Sequence, residues 1–172
     1  LVNNIPSLAD NSLYQRLFLN KTILQVDPTF EFDSSKNDLK YQGLIGEHIP
    51  GLLAAFQIKE HELRAMTEMA GLRIETGVTA VASNSLSIKN ISAIYRLVLF
   101  ARTNGIKIDD LFLLKSLLPK PQWNTVNELI ENQDFVDKIK TNDLKTAALA
   151  YLFADVMNQG DTLAPKKEAI EK

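Results

Sequence analysis

Two histidines, His48 and His61, are the first side chains here that could do chemistry, since imidazole ligates metals and moves protons near neutral pH. His61-Glu62 opens like the zinc-binding helix H-E-x-x-H, in which two imidazoles one turn apart converge on the metal. The residue one turn on is Ala65, so the second ligand is missing, and both histidines read as surface or packing residues. Asp33, Ser35 and Asn37 have the spacing of the first three ligands of a calcium loop. The required turn glycine would fall at Asp38 and the bidentate glutamate at Leu44, so a solvated turn is the better reading. Asp109-Asp110 offers two carboxylates for acid–base work, but adjacent helical residues do not face each other, and complementing the dipole of a helix N-terminus accounts for both. Gly43, Gly46 and Gly51 are too irregular for a phosphate-binding loop, and Glu47 follows Gly46 where lysine would be needed. There is no G-x-S-x-G nucleophile elbow. With no cysteine, thiolate nucleophiles, disulfides and cysteine-ligated zinc are excluded. No residue is assigned a catalytic, cofactor-binding or metal-binding role, and no enzymatic activity or cofactor is expected.

Two further patterns have ordinary explanations. Asn20-Lys-Thr22 and Asn90-Ile-Ser92 match the N-glycosylation triplet, and the second falls where a helix begins. Tyr14, Phe18, Phe56, Tyr95, Phe100, Phe112 and Phe153 lie on helix faces beside Leu and Ile, which makes them core residues before pocket residues. Trp123 differs, lying in the Pro-flanked loop 119–124, where it suits either a partner contact or packing over a helix end.

The elements that must hold these residues read as helices. The chain has 172 residues, 45% hydrophobic and 23% charged, enough for a core without covalent staples. A net charge of −2 gives no basic excess for nucleic acid or an anionic membrane surface. No apolar run approaches the length of a membrane span, and the chain starts at Leu1 with no leader-like segment, so we expect a fragment of a much larger protein or a processed product.

Ser12 is expected to cap a short helix with Leu13, Leu17 and Phe18 on one face. Residues 21–43 lose the helical period and read as a long ordered loop broken at Asp27-Pro28, with an extended piece at Thr22–Val26. Pro50 starts a helix carrying Leu52, Leu53 and Phe56, and a second runs from about Lys59 to Ala70, with Leu63 and Met66 inside, a Glu60–Arg64 pair outside and Gly71 ending it. Residues 73–86 read as a small strand or a covered loop. Ser87 or Asn90 caps the clearest helix, with Ile91, Ile94, Tyr95, Val98 and Ala101 in register and an apolar surface almost all round; Asn104-Gly105 stops it. A helix with Leu111, Leu114, Leu117 and Leu118 inside follows and stops at Pro119, so the two make a helical hairpin. Thr125 and Glu128 form a capping box for another helix with Leu129 and Ile130 inward, broken near Gln133 before Phe135, Val136 and Ile139. A last helix spans about Asn142 to Asn158, and Gly160 ends it. The fold class is therefore all-α: an irregular multi-helix bundle with a central helical hairpin, long ordered loops and at most a minor β element. One domain is expected over 1–165, with a frayed charged tail over 166–172.

Three segments carry a family resemblance. Leu13-Tyr-Gln-Arg-Leu-Phe-Leu-Asn20 followed by Val26-Asp-Pro-Thr-Phe30, then His48-Ile-Pro-Gly-Leu-Leu-Ala-Ala-Phe-Gln-Ile58 with Glu62-Leu63, then Leu86 through Arg102 to Leu118, resemble in order the large A components of bacterial toxin complexes (Tc toxins). The third segment is also similar to Salmonella-type plasmid virulence proteins. The resemblance covers roughly Leu13 to Leu118 and fades beyond Pro119. It implies a secreted, pore-forming, insecticidal translocation subunit, extracellular or at the bacterial surface, which assembles as a homopentamer with a helical shell around a channel. This chain would belong to that shell. Its partners would be the rest of the same subunit, further copies and a host cell-surface receptor, with no nucleic acid and no membrane insertion by this segment. No catalytic residue carries over, because the matching positions are structural: Tyr95 on the apolar face, Arg96 laying its stem along the helix to reach a carbonyl or carboxylate. The alternatives are a stand-alone helical adaptor, suggested by the wide apolar stripe of 91–101, and an enzyme with an unrecognised site.

Overall fold

The computed structural model describes residues 12–115, 117–119, 126–144, 146, 148 and 149. They form seven α-helices and one two-stranded antiparallel sheet, so the fold is mainly helical. The chain divides into two compact units, Leu1–Ile108 and Asp109–Lys172.

In the first unit Ser12 starts α1 (Leu13–Phe18), its hydroxyl accepting from the Gln15 N–H at 3.1 Å. The fully buried pair is Tyr14 and Phe18, four residues apart, while Leu13 and Leu17 are half-buried. The extended piece expected at Thr22–Val26 is instead α2 (Lys21–Val26). Asn20 makes it so: its Oδ1 accepts from the Ile23 N–H at 3.0 Å while its Nδ2 donates to the Leu17 carbonyl at 3.2 Å. One side chain thus closes one helix and opens the next, and six residues with Ile23 as the buried anchor are too few to print a period.

Asp27 caps a 3-10 turn over Pro28–Phe30 by accepting from the Thr29 N–H, and the expected loop then folds into a minimal hairpin. Strand β1 (Phe32–Asp33) pairs with β2 (Asp38–Leu39), Phe32 opposite Leu39. After a 3-10 turn at Ile45–Glu47, α3 (Ile49–Phe56) begins with Pro50 in its first turn. Next comes α4 (Glu60–Met69), burying Leu63, Met66 and Met69, with Arg64 and Glu60 paired at 2.6 Å on the exposed side. Gly71 ends it at φ +71°, a conformation that a Cβ disfavours.

Residues 73–86 are a loop with one isolated bridge, Leu44 to Ser85. It is neither the small strand nor the covered loop expected, since its only pairing is that bridge and Val78 and Val81 are about half exposed. The longest element of this unit, α5 (Ile88–Thr103), is capped by Ser87 and also from a distance, Asp38 Oδ1 accepting from the Ile88 N–H at 2.8 Å. Gly105 at φ +59° and the 2.9 Å bond from Ile106 N–H to the Ala101 carbonyl finish it as expected.

Aromatic rings from separate segments fill the centre of this unit. Phe18 stacks on Tyr14 (centroids 5.0 Å apart) and on Phe30 (4.8 Å) and meets Phe56 edge-on (5.6 Å). Phe56 in turn lies 5.4 Å from Tyr95 of α5. The Tyr14 hydroxyl donates to the Phe30 carbonyl at 2.7 Å, and burial pushes its pKa well above the ordinary phenol value.

In the second unit α6 (Ile108–Leu114) is shorter than the expected run to Leu118. The chain leaves it in turns in which the Leu117 and Leu118 N–H groups both donate to the Leu114 carbonyl. Leu111, Leu113, Leu114 and Leu118 are buried, and Leu117 is half-buried. The helix expected to break near Gln133 is continuous as α7 (Val126–Thr141), and the Gln133 side chain bonds Asp137 one turn on at 3.0 Å. Its inner face is Asn132, Val136 and Ile139, whereas Ile130, expected inward, is 53% exposed and Leu129 is half-buried. Asn132 lies on one stripe with Leu129, Val136 and Ile139, from which Ile130 is turned away. Residues 142–144 form the turn that ends α7, so the next helical residues are Thr146, Ala148 and Leu149. Trp123, Thr125, Phe153, Asn158, Gly160 and the tail 166–172 lie outside the described residues.

Gly51 of α3 admits Phe30 so closely that a Cβ there would overlap the ring. Gly51→Ala is therefore expected to lower unfolding stability by about 1–3 kcal/mol, through overpacking that outweighs alanine's better helix propensity. A urea titration followed by the signal of the first unit checks this.

Candidate functional site

The structure unites one pair that the sequence spacing does not announce. His48 lies 21 positions after Asp27, and its Nδ1 is 2.6 Å from Asp27 Oδ2, each side chain only 15% exposed. The local folds aim both groups. Asp27 is held between α2 and the 3-10 turn it caps, while His48 sits in the turn immediately before α3. Burial pushes the Asp27 carboxyl upward, but hydrogen bonds from His48 and from Thr29 outweigh it and hold the group below its ordinary range. The Phe30 ring meets the imidazole edge-on at 6.0 Å.

A carboxylate on Nδ1 fixes the tautomer and orientation of an imidazole, the same support that prepares a general base. Here the opposite edge faces backbone: a Cβ built on Gly43 would fall 2.6 Å from His48 Nε2. Among the described residues, no serine or threonine hydroxyl hydrogen-bonds to His48. The arrangement ties the α2 junction to the start of α3.

The other candidates disperse. His61 is exposed on α4, and Glu62 beside it serves the helix start, accepting from the Lys59 N–H at 2.6 Å. In the calcium-like turn, Asp33 accepts from the Ser35 N–H (2.9 Å) and hydroxyl (2.6 Å) and pairs with Lys36 at 3.3 Å. Those Ser35 bonds hold its carboxyl below the ordinary range, and Asp38 turns away to cap α5. Asp109 and Asp110 occupy the first turn of α6. Gly43 and Gly46 are points of close approach, Gly43 to the His48 ring and Gly46 to the Glu75 carbonyl. No group of three His, Asp or Glu side chains among the described residues could hold a metal ion.

Both glycosylation triplets have their asparagines in structural use. Asn20 joins α1 to α2 with both ends of its amide. Asn90 is 5% exposed, its Nδ2 donating to the Ala82 and Ser85 carbonyls at 2.9 and 2.8 Å. Tyr95 is on the buried face as expected. The carbonyl contact expected of Arg96 is made six residues later by Arg102, which donates to the Phe56 and Gln57 carbonyls and so caps the end of α3. Arg96 Nε is buried without a hydrogen-bond partner among the described residues, and burial lowers its pKa. The wide stripe of α5 is covered, with Leu99, 43% exposed, its one large open residue.

Comparison with protein-family models, with curated proteins and with solved structures finds no match for this chain. Among the described residues, no helix is long and apolar enough to cross a membrane.

Because the folded state depresses the Asp27 pKa, this carboxylate stabilises the fold above about pH 4, and the contribution is lost as pH falls through its folded value. Asp27→Asn is expected to be less stable than the parent at neutral pH, with the gap narrowing as pH drops below about 4. Thermal midpoints of both proteins across that range provide the check.

Proposed function

We propose that this chain is a non-catalytic structural and interaction segment of the helical shell of a secreted, pore-forming, translocating toxin subunit of the Tc A-component type. The observation that carries the reading is where the resembling residues go. Tyr14, Phe18 and Phe30 from the first segment, Phe56 from the second and Tyr95 from the third meet in one aromatic cluster. Asp27–His48 and the Arg102 contacts to Phe56 and Gln57 join the same segments again. Motifs that converge on packing rather than on a reactive cleft suit a scaffold.

In this reading the architecture is an irregular multi-helix bundle. The partners are the rest of the same subunit, further copies in a homopentamer and a receptor on the target-cell surface. The apolar stripe of α5 that suggested a stand-alone adaptor is buried except at Leu99.

The test is to express the complete reading frame that contains this chain, image it by negative-stain electron microscopy and record conductance across planar bilayers. Five-fold particles with a helical shell that open channels are the expected result. A short free-standing product that stays monomeric and opens no channel would overturn the proposal.

A further inference from the structure

Among the described residues one buried side-chain polar atom lacks a hydrogen-bond partner, Nε of Arg96 in α5. Burial is the sole cause lowering its pKa, so no nearby carboxylate compensates the guanidinium. A half-buried cation without a counter-charge costs free energy, and a carboxylate laid across its planar fork offsets that cost. The rest of α5 repeats the imbalance. Its three charged residues, Lys89, Arg96 and Arg102, are all basic, and none is in an ion pair among the described residues. Lys89 and Arg96, seven residues apart, share one stripe with Leu99, which is 43% exposed. The converse stripe is on α7. Glu131, Asp134 and Asp137 are exposed there and in no ion pair among the described residues, and Ile130 beside them is 53% exposed.

We infer that α5 of one copy of this chain binds α7 of a second copy, with Arg96 on Asp134 and Leu99 on Ile130. The inference rests on the two stripes and not on the toxin reading, which names no surfaces. Both helices are 16 residues long. Run antiparallel, they bring both pairs together: Arg96 and Leu99 are three residues apart, about 4.5 Å along the axis, and Ile130 and Asp134 four, about 6 Å. Asp137 then falls between Arg96 and Lys89. The aliphatic pair excludes water from the charge pair next to it, which strengthens the attraction. A phosphate polymer or anionic lipid surface is disfavoured, because the stripe sets a leucine beside two cations and the chain carries a net charge of −2. Two helices bury less than the roughly 800 Å² per partner of a standard interface, so the contact is weak and shows at high concentration. It is heterologous, because the two surfaces differ, and each copy keeps one surface for the next.

The test measures the molecular mass of the full chain by sedimentation equilibrium up to millimolar concentration. The samples are the parent, Arg96→Glu, Asp134→Arg and an equimolar mixture of the two variants, after thermal melts show that each variant folds. Leu99→Asp, at an exposed position, takes the place of Arg96→Glu if that variant does not fold. The parent should self-associate, less strongly as salt rises from about 0.1 to about 0.5 M. Each variant alone should associate at least about tenfold more weakly, since it sets like charges against each other. The mixture should associate as the parent does, because the intact α5 of one variant meets the intact α7 of the other. A monomeric parent, or variants that associate as the parent does, would overturn the inference. So would a mixture no better than its parts, the result expected of a contact made within one chain or with a different protein.

Discussion

Phe18 is the ring on which the first unit depends. It lies in van der Waals reach of Tyr14 in its own helix, Phe30 in the next turn and Phe56 in α3, and through Phe56 it is linked to Tyr95 of α5. Removing three to five rings of this size from water supplies a large non-directional driving force. Stacked and edge-on contacts then restrict how the segments bearing them can be arranged. Short helices such as α1 and α2, six residues each, would not hold their shape in isolation. They persist because each delivers a buried anchor to a shared core.

Polar side chains do the joining that such short elements require. Asn20, Asp27, Asp38, Asn84, Asn90 and Arg102 each satisfy backbone groups at an element end or a loop base. Several of these bonds span long stretches of sequence, Asp38 to Ile88 across 50 positions and Arg102 to Gln57 across 45. Orphan N–H and C=O groups at helix ends must be paired somewhere, and in this fold distant side chains pair many of them. That explains why so many chemically capable residues are found at joints: their polar atoms complete the backbone.

The long helices were legible because periodicity accumulates with length. Ser87, Asn104-Gly105 and Gly71 then marked their ends through chemistry that is local to the chain. Short elements gave less. Residues 21–26 contain one turn and a half of helix, and their start is decided by the Asn20 cap rather than by any repeat. In α7 the expected break at Gln133 and the inward Ile130 both failed: the inner stripe runs through Leu129, Asn132, Val136 and Ile139, and its polar member, Asn132, hides that continuity from a reading of apolar residues alone. The absence of a two-histidine metal site at His61 could be read from Ala65 alone. The Asp27–His48 pair could not, because its partners are 21 residues apart and belong to different turns whose approach is set by Phe30 packing against Gly51.

The aromatic cluster makes α1, α3 and α5 one cooperative body. Native-state hydrogen exchange on Phe18→Leu measures this most directly, since the substitution keeps an apolar side chain in α1 but removes the ring that touches the others. Protection should fall together in α1, α3 and α5, by a similar factor in each. Loss of protection confined to α1, with α3 and α5 exchanging as in the parent, would contradict it.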